Sequence, residues 1–277
     1  MDIKVLKASG VVEDLNRDKL RSSLLRSGAD SDRVEEVIGK VLYEIEPYTS
    51  TKKIYRLAKK YLRQFNHASG LRYTLKRALM RLGPSGYPFE QYYAELLKHY
   101  GYSTKTNLVI EGRCVSHEVD VFAVKDDEIM AVECKYHNRS GIATDIKVAM
   151  YVYARSRDLG YGFKHSQSKK TFKGSLVTNT RFTADAVKYA GCMGLNLRSW
   201  GHPEHDSLKK MIENKKLYPV TVISGLRSGI IKTLIENRII LLKDLAEMDV
   251  RKIRKTLSLP EKKAAVLKDQ ADELCLY

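Results

Sequence analysis

Two short apolar runs, 118–124 (EVDVFAV) and 129–136 (IMAVECKY), flank the polar tetrad 125–128 (KDDE). Both runs are rich in β-branched and aromatic residues, and the tetrad reads as a turn, so the unit predicts a β-hairpin. This hairpin constrains the fold tightly because it fixes a register. A turn centred on Asp126 and Asp127 pairs Lys125 with Glu128. Counting outward sets Asp120 opposite Glu133 and Glu118 opposite Lys135. Side chains alternate along a strand, so these four are expected on one face, with cross-strand neighbours about 5 Å apart. The other face carries Val119, Val121, Ala123, Met130, Val132 and Cys134 and is expected to be buried. Phe122 and Ala131 are apolar on the charged face as well, so the sheet reads as covered on both sides. Carboxylates placed opposite each other repel unless a cation lies between them. The arrangement is therefore either a solvated charge cluster or a site for a divalent metal.

The flanking segments extend this reading. A helix is expected over 88–97 (PFEQYYAELL), ending near Tyr100-Gly101-Tyr102, with Pro88 at its start and Gly101 at its stop. Glu90 falls at helical spacing with Ala94 and Leu97, which puts a carboxylate on a partly apolar face. After the hairpin, Thr144 and Asp145 open a helix running to Leu159. Residues 175–180 (SLVTNT) read as a strand, 182–190 (FTADAVKYA) as a helix capped by Thr183, and 195–200 (LNLRSW) as a last strand. The polarity of Thr178, Asn179 and Thr180 reads as that of an ordinary strand end.

The D…(D/E)-x-K hairpin with its preceding helix resembles the PD-(D/E)XK nuclease superfamily. Within it, the chain resembles the Mrr-type restriction-endonuclease branch, which is similar to archaeal Holliday-junction resolvases. The resemblance implies an α/β nuclease core with a mixed sheet over residues 85–212. It implies that Glu90, Asp120 and Glu133 hold Mg²⁺ or Mn²⁺ and that Lys135 orients or stabilises the hydrolytic water. Those four residues would then be the catalytic set. Val119 stands where the motif has proline.

Residues 1–84 have a different character. Residues 3–7, Ser9-Gly10 and 11–13 read as a small hairpin. Helices follow over 17–26, 31–46, 52–65 and about 69–82. Val5-Leu6-Lys7, Gly10, Glu13, the run Asn16-Arg17-Asp18-Lys19 and Thr51-Lys52-Lys53-Ile54-Tyr55 together resemble the ATP-cone, a regulatory nucleotide-binding module. The resemblance implies ATP or dATP as an effector, with Val5, Lys7, Glu13, Asn16, Lys19 and Thr51 as the nucleotide contacts. Ala8 stands where that family often has arginine. The alternative is a helical DNA-binding region that uses the same basic residues, among them Lys52, Lys53, Lys76 and Arg77.

Residues 160–174 (GYGFKHSQSKKTFKG) read as a basic loop. Lys164, Lys169, Lys170 and Lys173 could follow a phosphate backbone, with Phe163 or Phe172 against a base. Beyond about residue 213 the pattern is helical: 228–236, 250–257 and 261–274, with the break Ser258-Leu259-Pro260. This resembles a small all-α helix-hairpin-helix module, which would grip a DNA backbone, though the hairpin lacks the family's glycine. A helical packing or dimerisation domain is the other reading. Cys114-x-x-His117 and Cys134-x-x-His137 superficially match a zinc-ligand spacing, but Cys134 is expected on the apolar face.

The 277 residues are enough for several domains, and their net charge of +16 favours nucleic acid or an anionic membrane surface. No run is long and apolar enough to span a bilayer, which leaves DNA as the expected partner and no membrane. Four scattered cysteines, Cys114, Cys134, Cys192 and Cys275, fit a reducing cytoplasm. The reading is a multidomain α/β chain: an ATP-cone over 1–84, a nuclease over 85–212 and a helical domain over 213–277. Its expected activity is metal-dependent DNA endonucleolysis under nucleotide control. A non-catalytic, nucleotide-responsive DNA-binding protein and a junction-resolving repair nuclease are the alternatives. A homodimer would explain cuts in both strands.

Overall fold

The structure is a computed structural model that describes residues 3–7, 9–25, 27, 29–65, 74–139, 141–165, 170–223 and 225–276. At the N-terminus, β1 (Lys4–Leu6) and β2 (Val12–Asp14) pair antiparallel, with Val5 opposite Glu13. A third strand, β3 (Thr49–Ser50), joins β1 in parallel. The sequence does not announce β3, because two residues carry no periodicity. Around this sheet lie α1 (Arg17–Leu25), α2 (Ser31–Glu44) and α3 (Thr51–Phe65). Each helix start is capped by a side chain. Asn16 Oδ1 accepts from Lys19 N at 2.7 Å, Asp30 Oδ1 from Arg33 N at 2.8 Å, and Ser50 Oγ from Lys53 N at 3.2 Å. Val5, Leu24, Val34, Val41, Ala58 and Leu62 fill a core of their own. The helix expected over 69–82 lies partly outside the described residues; within them is α4 (Leu75–Leu79).

The central region opens with α5 (Tyr87–His99), which has proline in its first turn as expected. Strands β4 (Ser103–Glu111), β5 (Ser116–Lys125) and β6 (Glu128–Lys135) follow. Next come β7 (Ala143–Thr144), α6 (Ile146–His165), β8 (Thr171–Thr178), β9 (Arg181–Phe182), α7 (Ala184–Met193) and β10 (Asn196–Arg198). The five-stranded sheet has the order β10-β8-β6-β5-β4. Its β4-β5-β6 half is antiparallel and its β6-β8-β10 half parallel, so the sheet is mixed. Strand β4 was not expected: its residues alternate exposed and half-buried, and Thr, Lys and Asn hide the apolar rhythm.

The basic loop expected over 160–174 is a correction. Helix α6 continues through Gly160 and Gly162 to His165, and β8 already begins at Thr171. Gly162 reads as a helix breaker, but it sits where a Cβ would come within 3.0 Å of the Glu111 carbonyl. Glycine there lets the helix lie close on the β4–β5 turn. Of that stretch, residues 166–169 are outside the described set.

The C-terminal region is helical: α8 (Leu208–Asn214), a 3₁₀ turn at Val220–Val222, then α9 (Ser228–Glu236), α10 (Leu242–Ala246), α11 (Val250–Leu257) and α12 (Glu261–Leu276). Ser258 closes α11 in the left-handed conformation, at φ 50°. These helices share one hydrophobic cluster with α5 and with the β5–β6 face bearing Val121, Val132 and Cys134. Tyr92 donates its hydroxyl to the Leu217 carbonyl at 2.7 Å, and Arg81 reaches the Leu226 carbonyl at 2.9 Å. The opposite sheet face is covered by α6 and α7 through Leu159, Ala149, Val152 and Ala186. Both faces are thus buried, as the hairpin composition implied. Among the described residues, no helix is long and apolar enough to cross a membrane.

Candidate active site

The β5–β6 hairpin adopts the register counted from the sequence, from Lys125 opposite Glu128 to Val121 opposite Val132. Beyond that pair the two strands part company. β5 stays with β4, where Leu108 faces Val119, while β6 stays with β8, where Glu133, Cys134 and Lys135 face Leu176, Val177 and Thr178. Asp120 sits at the fork, and its Oδ2 accepts from the Cys134 amide at 2.7 Å. The carboxylate thus satisfies an N–H at the point where the hairpin ladder stops.

The fork corrects one expectation. Val119 packs with Ala131 and Leu159 on the α6 side, whereas Val121 belongs to the α5-side core. Alternation therefore inverts at Asp120, and Glu118, Asp120, Glu133 and Lys135 do not share one continuous face. The cause is local. Asn107, level with Asp120 on β4, adopts φ 54°, and a left-handed residue within a strand kinks it.

Three of the four expected catalytic residues gather at the fork. Glu90 lies in the first turn of α5, half-buried. Burial, followed by the charges of Asp120, Glu133 and Glu118, pushes its carboxyl up to about 7. Burial and then Glu133 push Asp120 up to about 6, against the Cys134 amide and Arg155, which both pull it down. Glu133 is ion-paired with Arg155, and the two side chains are 14% and 10% exposed. Lys135 stands exposed at the end of β6.

Arg155 is the functional candidate that the sequence reading missed. It lies on α6, donates to the Glu118 carbonyl at 3.0 Å and has its guanidinium 5.3 Å from the Tyr151 ring centroid. The signal was present: an arginine on the inward side of an apolar helix needs a buried carboxylate. Asn179 also does more than terminate a strand. It is fully buried, its Oδ1 accepts from the His137 amide, and its Nδ2 donates to the His137 carbonyl, both at 2.8 Å. It ties the end of β6 to the end of β8 beside Lys135.

Among the described residues, no group of three or more His, Cys, Asp or Glu side chains is arranged so that it could hold a metal ion, so Glu90, Asp120 and Glu133 do not form one as they stand. The donor chemistry nevertheless fits a divalent cation. Glu90 and Asp120 are oxygen donors held partly out of water beside other negative charges, and both resist ionising there. Glu133 would have to exchange Arg155 for the cation. The Cys–His pairs do not converge. Cys134 is buried in the α5-side core, while Asp158 accepts from the Cys114 amide at 2.9 Å and bonds His117 Nε2 at 2.8 Å. The His117 bond heads the causes that hold Asp158 down at about 2.

Lys76 lies 5.9 Å from the Trp200 ring centroid. Burial, and after it the charges of Lys19 and Arg181, lower its pKa. In the N-terminal region, Val5 is buried in the core and Asn16 is committed to capping α1. Lys7 is paired with Glu13 at 2.5 Å, and Thr51 opens α3.

A mixed sheet forked at an acidic hairpin, with a carboxylate-bearing helix alongside, is a nuclease-type α/β architecture. Residues 83–200 match the restriction endonuclease family (Mrr catalytic domain), and residues 218–275 match the AF1548-like C-terminal family. An uncharacterised protein of Archaeoglobus fulgidus is 36% identical over 171 residues, covering 62% of this chain and 92% of the relative. The crystal structure of AF1548, a protein of unknown function, superposes with a TM-score of 0.58 at 34% identity, over 69% of this chain and 98% of that one. The chain belongs to this AF1548-like family. Can2 from Sulfobacillus thermosulfidooxidans, solved with cyclic tetra-adenylate, is 13% identical with a TM-score of 0.32, over 68% of this chain and 60% of Can2.

Proposed function

We propose that the chain is a divalent-metal-dependent DNA endonuclease whose activity responds to ATP or dATP. The observation that supports this reading is the fork: Asp120 accepts from the Cys134 amide where β5 and β6 part, the neighbouring Glu133 is held by Arg155, and burial with nearby negative charge raises Glu90 and Asp120. Such a cluster is costly to hold together for structure alone and is relieved by Mg²⁺ or Mn²⁺. Glu90, Asp120 and Glu133 would hold the cation, which when bound supplies an acidified water and stabilises charge developing on the phosphate. Lys135 would orient that water from the end of β6. Arg155, once displaced from Glu133, would be free to meet a backbone phosphate. The family match to restriction endonucleases points to the same class of reaction.

The net charge of +16 and the cations Lys76 and Arg181 suit a DNA backbone. The domain plan in this reading is 1–84 for nucleotide sensing, 85–212 for cutting and 213–277 for gripping DNA through its helical hairpins. Lys7, Glu13, Asn16, Lys19 and Thr51, with the main chain at Val5, would take the effector. No GxxxxGK[ST] loop occurs in the sequence, so the nucleotide would regulate access or assembly. The test is cleavage of linear, branched and methylated DNA in Mg²⁺, with Asp120→Ala as control. Equal nicking by both proteins would overturn the assignment. For the effector, ATP or dATP should raise the melting temperature of wild type but not of Lys7→Ala.

A further inference from the structure

The geometry points to a nucleotide-binding hollow remote from the fork, between α6, the start of β8 and the α7–β10 turn. Strand β8 runs from Thr171 to Thr178, and its Thr178 end lies against Lys135. The hollow is at the other end, around Thr171–Gly174. Its volume is about 530 Å³. Small-molecule sites commonly occupy roughly 300–1,000 Å³.

Its lining combines two chemistries. Tyr161, Phe163 and Phe172 supply rings, and Arg157, Lys170 and Lys173 supply cations. None of the fourteen described lining residues is a carboxylate. The rings are held in place. Phe163 stacks on Phe172 at 5.2 Å and on Phe122 at 5.7 Å, with interplanar angles of 22° and 19°. Arg157 is also fixed: it donates to the Tyr161 hydroxyl at 2.9 Å and lies 5.1 Å from that ring's centroid. At the floor, Gly174 lets the Ser156 side chain approach where any Cβ would collide with it. That leaves a hydroxyl at the base of an aromatic wall. Lys173 is ion-paired with Glu128, while Arg157 lies in the lining with its guanidinium over the Tyr161 ring.

The lining carries aromatic rings and net positive charge side by side, so it suits a ligand that has both a planar ring and an anionic group. A nucleotide matches both, with its base against the ring stack and its phosphate toward Arg157. The nucleotide can be free or part of a strand passing over α6. This inference does not depend on metal catalysis or on the N-terminal region.

The experiment uses the full chain with two photoprobes, 8-azido-ATP and a single-stranded oligonucleotide carrying 5-iodouracil, followed by peptide mapping. Wild type should be labelled within residues 153–163 or 170–174. Arg157→Ala and Met193→Trp should each cut that labelling about tenfold while melting like wild type. Met193 lines the hollow and is 38% exposed, so tryptophan can fill it without entering the core. Labelling by the free nucleotide alone, by the strand alone or by both supports the site and identifies its ligand. No labelling of these peptides by either probe, or equal labelling in both variants, overturns it. Labels within 3–65 report on the N-terminal region instead.

Discussion

The fork should cost the metal-free protein stability, and Glu90→Gln measures how much. An ordinary glutamate titrates near 4.5, and Glu90 is pushed up to about 7. At roughly 1.4 kcal/mol for each tenfold change in proton affinity, ionising it in the fold costs at most about 3 kcal/mol. The carboxyl is half-buried, so solvent screening reduces this to about 1.5 kcal/mol. The sign follows from linkage. The folded value lies above the unfolded one, so Glu90 is best tolerated below about 4.5, and that advantage is lost as pH rises through about 7. Glutamine keeps the shape and removes the charge. In urea denaturation with EDTA, Glu90→Gln should be more stable than wild type by about 1.5 kcal/mol near pH 8 and by under about 0.5 kcal/mol near pH 5. Mg²⁺ should raise wild-type stability near pH 8 and do less for the variant. A variant that is less stable at pH 8, or that differs from wild type equally at both pH values, would refute the reasoning.

Two further changes test how the site is held. Arg155→Ala should destabilise the protein by about 3 kcal/mol at neutral pH, since it leaves the largely buried Glu133 charge without its partner; a loss of under about 1 kcal/mol in thermal or chemical denaturation would show that the pair contributes little. Asn179→Ala removes both bonds to the His137 main chain and should cost about 2 kcal/mol. Hydrogen exchange should quicken at His137, and unchanged protection there would count against the clasp.

The hairpin and its register were legible because one turn and two alternating runs leave a single way to count. Helix starts were legible where a side chain caps them, as at Asn16 and Thr183. Strand β4 was not, because its exposed edge carries threonine, lysine and asparagine where a buried strand would carry valine and isoleucine. The extension of α6 across Gly160 and Gly162 was hidden for another reason. Glycine is read as a breaker, and only the neighbouring chain shows that it answers a close approach. Glu90, Asp120 and Glu133 could be named from local pattern. Counting from the turn also set Asp120 opposite Glu133; what was not legible is the left-handed Asn107 on β4 and the pairing of Glu133 with Arg155, twenty-two residues further along the chain.

Packing explains how the fork tolerates its charges. β5 is held by β4 on one side and β6 by β8 on the other, so neither strand relies on the hairpin ladder beyond Val121 and Val132. Below the fork, Val121, Val132, Cys134 and Phe89 lie in a core that continues into the C-terminal helices. That continuous apolar burial, at about 25 cal/mol per Å², outweighs a local repulsion of a few kcal/mol. Asp120 and Glu90 can therefore stay close without relaxing apart. If the C-terminal helices were loosened from α5, the strands could splay and the carboxylates separate. The AF1548-like region would then support the site as well as any DNA grip it provides, which links the two family matches through one core.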